Sequence, residues 1–388
     1  MSKNNQPSNH PDVQVLSLSA ASVQIPKYEE IKNGSKDYVQ WGKDNLFPQY
    51  LFQLYLRSAI LQALVNGIAD YVDGDAILLG ENLQSFESYQ NEEGDTIEDI
   101  VRKMTIDYLV YGGFAASPLF SVDQKLIGLY WVDYGCCRKS KPGYDDDGNK
   151  LQTTVYYCKD WSDRKAPVVK RALFTGKNRV GAPIFMYDGH LTRGEYAVPT
   201  YIGALKAIET GVQIQEFHLR NITNGFSSSS MITFCEGVPS EDVQTRIKKK
   251  IEKLYTGAEN AGDFVLAFAK DKDHAPIINK IADDGFDKKY AQLEVSTMKS
   301  IFIAFRAQPQ LFGFVIEGSL FNRDEFEQAY ALFNKTVVAP MQKDLQRALD
   351  TLFGEDKSVT FAPFALDALN TDDNTEPTNT DNNEEPLN

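Results

Sequence analysis

Four cysteines and four histidines in 388 residues leave little material for redox or metal chemistry. Cys136, Cys137, Cys158 and Cys235 form no CxxC pair, and adjacent Cys136 and Cys137 have poor geometry for an intramolecular bridge. His10, His190, His218 and His274 make no HxH or HxxxH spacing, so nothing points to zinc, and reduced, buried thiols are expected. A phosphate loop is missing too, since Gly176-Lys177 lacks both the upstream glycine and the following Ser or Thr. There is no GxSxG elbow, no HExxH and no dinucleotide fingerprint after a strand. The expectation is a protein that is not an enzyme, with no cofactor and no metal. Carboxylates are plentiful, so a carboxylate-dependent hydrolase stays as an alternative without positive support.

Long apolar runs are also lacking. The best candidate, Leu46 to Val72, is interrupted by Gln53, Arg57, Gln62, Asn66 and Asp70. The N-terminus has no basic stretch followed by an apolar core, so no signal peptide is expected. These absences imply a soluble protein that stays in the cell that makes it. Bases are outnumbered, 40 to 54, for a net charge of −14. Six acids and no base fall in residues 371–388. An acidic surface repels phosphate and argues against a tight DNA binder, though not against a surface that DNA slides past. Residues 1–12 and the last eighteen are polar and are expected to be disordered.

Between these ends the pattern alternates between helical and extended. Pro48 suits a helix start, and Leu51, Leu54, Tyr55, then Ile60, Leu61, Leu64, Val65 and Ile68, follow at helical spacing, with Ser58 as a cap between two helices. A further helix is expected from Thr96 to Tyr111, capped by Asp95 with Glu98 and ended by Gly112-Gly113. Runs at Leu126–Tyr134, Thr153–Lys159, Arg171–Thr175 and Ile184–Tyr187 read as strands. Asp145 to Asn149 reads as a hairpin turn. A calcium loop is the competing reading, but Gly143 stands where its first carboxylate would be.

The chain then returns to helix over Tyr201 to about Thr223, stopped by Asn224-Gly225. Phe226 to Phe234 is a loop running into a strand. Ser240 caps a second long helix, whose apolar stripe is Val243, Ile247, Ile251 and Leu254. Its other faces carry Arg246, Lys248, Lys249, Lys250 and Lys253, which suit either a solvated face or a surface turned to a partner or DNA. Two long helices joined by a strand-like excursion make an extended arm. Short strands follow at Phe264–Phe268 and Ile277–Ile281, then an apolar helix from Tyr290 to Arg306 broken at Gln308-Pro309. A Gly-containing loop leads to a last helix with the stripe Phe326, Tyr330, Phe333, Val337, Met341, Leu345 and Leu349. Pro340 should kink or split it.

This order of motifs resembles the tailed-phage portal family over roughly Trp41 to Leu352. Five stretches carry the resemblance: Tyr111-Gly112 ending a helix, Asn224-Gly225 ending another, Gly257 to Gly262 before Phe264-Val-Leu, Ile301 to Gly313, and Phe321-Asn322 through Pro340. The segment Arg138 to Gly194 shows little family character beyond its strands. The resemblance implies an α+β, portal-like fold: a disordered or extended N-terminal arm (1–37), a β-rich wing with helices (38–196), and a first stem helix (197–224). A clip (225–239), a second stem helix (240–256), more wing strands (257–289), a tunnel helix and loop (290–322) and a short helical crown (323–365) follow, with an acidic tail from 366. Docking candidates on the clip are Phe226, Ser228, Met231, Ile232 and Phe234. Channel candidates are Gly313, Phe314, Ile316, Glu317, Gly318, Phe321 and Asn322, with an ordinary surface loop as the alternative.

By the same resemblance the protein would sit in the virion, at one capsid vertex, after assembly in the bacterial cytoplasm. It would form a ring of copies, usually twelve, around passing double-stranded DNA. Its partners would be the terminase large subunit, head–tail adaptor and neck proteins, major capsid protein and scaffold, with no membrane. A different head or neck structural adaptor is the other reading in this class.

Overall fold

The computed structural model describes residues 13–16 and 25–364, apart from 145, 149, 190, 193, 224–229, 236, 238, 256–263, 270, 272, 274–285 and 315–322. The chain divides into two compact units, each of mixed helix and sheet in keeping with an α+β protein. The larger is made of Tyr28–Gln53, Gln62–Thr200 and Phe305 onward; the smaller of Met1–Lys27, Leu54–Leu61 and Tyr201–Ala304. In chain order the elements begin with β1 (Val13–Leu16), β2 (Glu30–Ile31), β3 (Gln40–Trp41), α1 (Phe47–Arg57), α2 (Ala59–Asp73), β4 (Ile77–Leu79) and α3 (Ile97–Tyr111). Then come β5 (Gly113–Phe120), β6 (Leu126–Val132), β7 (Cys137–Lys139), β8 (Gly143–Tyr144), β9 (Lys150–Leu151), β10 (Thr154–Tyr157), β11 (Val169–Ala172) and β12 (Phe185–Asp188). The last are α4 (Leu205–Thr223), β13 (Ser230–Phe234), α5 (Glu241–Tyr255), β14 (Phe264–Ala269), α6 (Phe286–Phe305), α7 (Arg323–Phe333), α8 (Ala339–Phe353) and β15 (Val359–Phe361).

The helix boundaries follow local chemistry. Pro48 lies in the first turn of α1, where its missing N–H costs nothing. Ser58 separates α1 from α2, and its Oγ accepts the Leu61 N–H at 3.3 Å. The cap of α3 falls one residue later than the sequence reading placed it. Thr96 and Asp99 form the reciprocal box, Asp99 N–H donating to Thr96 Oγ1 at 3.2 Å and Thr96 N–H to Asp99 Oδ2 at 2.9 Å. Asp95 instead holds Lys103 at 2.5 Å. Gly112 ends α3 at φ 86°, and a Cβ there would lie 2.5 Å from the Val198 carbonyl oxygen.

In the larger unit, strand order is β12-β5-β6 in one sheet and β11-β10-β7 in another, with two-stranded pairs β4–β15, β2–β3 and β8–β9. The β8–β9 hairpin turns around Asp146 to Gly148, as expected, with Gly148 at φ 81°. β11 begins two residues before the expected run and its ladder with β10 ends at Ala172, after which Leu173 forms an isolated bridge with Ile184. One aromatic cluster gathers Trp41, stacked on Tyr196 at 4.5 Å, with Tyr134 edge-on at 5.6 Å. Burying these rings favours the fold locally.

The segment expected as a crown, 323–365, belongs to this same unit. Tyr108 donates to Asp344 Oδ2 at 2.6 Å, Gln342 Nε2 donates to the Val72 carbonyl at 2.8 Å, and β15 completes a ladder with β4. Pro340 splits the last helix as expected. A π turn over Asn334–Val338 widens the backbone, and Ala339 N–H reaches back to Asn334 O. The wider turn relieves the clash a proline ring makes with the carbonyl four residues earlier.

In the smaller unit, β14 lies between β13, parallel to it, and β1, antiparallel. The strand near 264, expected among the wing strands, pairs with β13 and with β1. The expected strand Ile277–Ile281 and residues 1–12 lie outside the described residues. α6 starts four residues before the expected Tyr290, and Arg306 turns left-handed (φ 54°) directly after it.

Candidate functional site

The two long helices and the strand expected between them are present as α4, β13 and α5. α4 buries Ile208, Val212 and Ile214 and leaves Leu219 65% exposed. Arg57 pairs with Glu216 at 2.6 Å, and Phe217 stacks on Tyr290 of α6 at 5.0 Å. Among the docking candidates, Met231, Ile232 and Phe234 lie on β13 opposite Val265, Leu266 and Phe268 of β14, and Phe234 stacks on Phe268 at 5.4 Å. Phe226 and Ser228 lie outside the described residues.

The basic helix is α5. Arg246, Lys249 and Lys250 are exposed. Lys248 and Lys253 lie on the same helix, their side chains outside the described set. Its apolar stripe differs from expectation at the first turn. Val243 is 40% exposed, whereas Gln244 is buried and donates through Nε2 to the Pro239 carbonyl at 2.8 Å. A glutamine that satisfies its amide on the chain entering the helix can take an inward position that hydrophobicity alone assigns to valine.

The channel candidates begin where the chain passes α6. Pro309–Phe312 forms a short 3-10 turn, closed by Gly313 at φ 75°, and Phe314 N–H donates to Pro309 O at 3.1 Å. A Cβ on Gly313 would meet no atom within 4 Å, so this glycine is required by backbone conformation, not by crowding. Ile316, Glu317, Gly318, Phe321 and Asn322 lie outside the described residues. What holds the base of this segment was not evident in the sequence. Tyr71 donates to the Leu311 carbonyl at 2.7 Å, and the Phe312 ring sits edge-on to Tyr71 and Phe333 at 5.9 and 5.8 Å. Burial raises the Tyr71 hydroxyl pKa, keeping it a donor. Gly67, inside α2, makes room for the ring: a Cβ there would come within 2.8 Å of Phe312 Cδ1. A glycine inside an apolar helical stripe was the one available signal.

Nucleophilic chemistry finds little support in these groups. Burial, with the nearby Asp133 charge, pushes the Cys136 and Cys137 thiols well above the usual thiol range. Among the described residues no three His, Cys, Asp or Glu side chains converge as metal ligands. None of the described helices is long and apolar enough to cross a membrane.

No family model and no curated protein matches the sequence. Solved structures do match. A chain in the virion of the native gene transfer agent particle is similar at TM-score 0.53 and 15% identity, over 86% of this chain and 85% of that one. A chain in the neck of the native particle, computed with C12 symmetry, is similar at 0.52 and 15%, over 81% and 84%. An HK97-family phage portal protein from Corynebacterium diphtheriae matches at 0.44 and 10%, over 77% and 88%. The chain thus has a fold found in the gene transfer agent particle and its neck.

Proposed function

We propose that the chain is a portal subunit, copies of which close into a ring at one capsid vertex and pass double-stranded DNA through the bore during packaging and ejection. The observation that carries this reading is the fold likeness to the gene transfer agent structures, which spans nearly the whole of both chains. C12 symmetry in one neck structure supports a ring of twelve. The arm of the smaller unit adds a second support. Leu219 of α4, Val243 of α5 and Ile303 of α6 are 65%, 40% and 74% exposed, and neighbouring copies in a ring would cover such side chains.

In this reading β13 and its flanks face the terminase large subunit during packaging and the head–tail adaptor afterwards. The larger unit faces capsid and scaffold proteins, and the loop after Gly313 lines the bore. The motor's ATP hydrolysis then belongs to the terminase, and this chain performs no catalysis of its own. Light scattering on the purified protein tests the core of the proposal. Twelve copies of a 43.6 kDa chain amount to roughly half a megadalton. A monodisperse monomer or dimer at micromolar concentration would overturn it.

A further inference from the structure

Residues 159–179 carry seven bases and two acids in a chain whose net charge is −14. Both acids are engaged in turns. Asp160 Oδ1 accepts the Ser162 N–H at 2.8 Å and hydroxyl at 2.6 Å, and Asp163 Oδ1 accepts the Lys165 N–H at 2.8 Å. Lys159, Arg164, Lys165, Lys170, Arg171 and Lys177 are exposed. Among the described residues only Lys170 of these meets a carboxylate, Asp37 at 3.6 Å.

β11 runs through the middle of this patch. It is the edge strand of its sheet, paired with β10 on one side, and no described strand covers its other edge over Val169–Arg171. All four of its residues are exposed, and Val168 and Val169 add apolar surface at 43% and 42% exposure. Open main-chain donors and acceptors, exposed valines and cations of which Lys170 alone has a described carboxylate partner together make a surface suited to an extended acidic chain.

Such a chain is at hand. Residues 371–388 hold six acids and no base. The described chain ends at Phe364, whose ring packs on Tyr71 at 5.5 Å and Tyr330 at 6.3 Å, in the same unit as β11. At about 3.3 Å per extended residue the segment reaches roughly 25 Å by Asp372 and roughly 70 Å by Glu385. A unit of this size is roughly 45 Å across, so the acids toward the end of the segment can reach across it, while Asp372 and Asp373 stay within roughly 30 Å of Phe364.

We propose that the acidic C-terminal segment, residues 371–388, docks along the open edge of β11, with its carboxylates on Arg164, Lys165, Lys170 and Arg171. Each exposed pair contributes little, but tethering gives the segment an effective concentration in the millimolar range, so several weak pairs suffice. Docking covers a strand edge and cancels a patch of positive potential that would otherwise attract phosphate.

Carbodiimide cross-linking of the full chain, followed by peptide mapping, tests this directly. Cross-links from Asp372–Glu385 should fall on Lys165 and Lys170 at several-fold the yield seen at Lys335 or Lys343. They should largely vanish at about 0.5 M salt, where the screening length falls to a few ångströms. Hydrogen exchange supplies the second readout. Neutralising the six acids (D372N, D373N, E376Q, D381N, E384Q, E385Q) leaves the folded core untouched and should speed exchange of the Val169–Arg171 amides about tenfold. Even cross-linking over all lysines, or unchanged exchange in the neutralised chain, overturns the proposal. So does protection of those amides in the parent chain by an added DNA duplex, which would make nucleic acid the occupant.

Discussion

Arg138 sits at the centre of the larger unit's core with its side chain fully buried. Its guanidinium is met by neutral oxygens: Asn45 Oδ1 and O at 2.7 Å, Gly135 O at 2.7 Å and Cys137 O at 2.8 Å. Trp161 and Trp41 lie 4.9 and 5.8 Å from it. A lysine would keep the charge but bring one nitrogen to a site shaped for a planar fork, leaving carbonyls unpaired. Arg138→Lys should therefore cost about 3 kcal/mol or more, read as a lower urea midpoint at unchanged slope. Asp107 makes the second prediction at this scale. Burial, and then the Asp133 charge, raise its pKa well above the carboxylate range, while Trp131 Nε1 and Tyr134 N–H donate to it at 3.0 and 3.1 Å. The folded state thus favours the protonated acid. That contribution is fully present below the unfolded pKa of about 4 and is lost as pH climbs through the raised folded value. Asp107→Asn keeps the acceptor without the titration, so melts from acid to mildly alkaline pH should show a flatter decline than the parent. Parallel declines would rule Asp107 out as the titrating group.

At the scale of elements, Gly67 and Phe312 set the base of the channel candidate. Gly67→Ala gains about 1 kcal/mol of helix propensity but drives a Cβ into a ring already flanked by Tyr71 and Phe333, an overpacking of roughly 1–3 kcal/mol. A net loss near 1 kcal/mol is expected, and Phe312→Leu in the same chain should recover most of it; additive effects would mean the two do not touch. Deleting Val315–Ser319 leaves this base intact and should lower the DNA retained in assembled particles, whereas full retention would remove the channel role from the loop. The elements themselves differed in how readily they could be read. α1, α2 and α3 announced themselves because eleven to fifteen residues repeat the 3.6 period several times. β4 and β15 went unseen, since three residues cannot display a period of two and their pairing spans most of the chain. The same limit hid the partnership of β13, β14 and β1, whose registers join positions far apart in sequence. On α5, Arg246, Lys249 and Lys250 were legible as exposed bases. The inward Gln244 was not, because its amide is satisfied by the Pro239 carbonyl, a detail of geometry and not of composition.

At the scale of the whole molecule, charge decides how a ring of these chains would treat DNA. If every copy turned cations to the bore, phosphate contacts would multiply around the ring, and affinity would fall steeply with salt, by about 0.9 log unit per log unit for each contact. A net charge of −14 per chain works against such a grip and permits sliding. The isolated ring should bind a short duplex weakly, with an anisotropy titration nearly flat between about 50 and 200 mM salt. A steep slope in the parent protein would refute the sliding argument. The basic strand β11 sharpens this prediction, because around it the acidic balance of the chain reverses. With the C-terminal acids neutralised, six negative charges are lost from each chain and the cations beside β11 are uncovered. Duplex affinity should then rise and acquire a salt slope, and replacing Lys165, Lys170 and Arg171 with glutamate should remove both changes. If neutralisation raised affinity equally with and without those three cations, the gain would come from overall charge alone, and the surface at β11 would have no part in keeping DNA mobile.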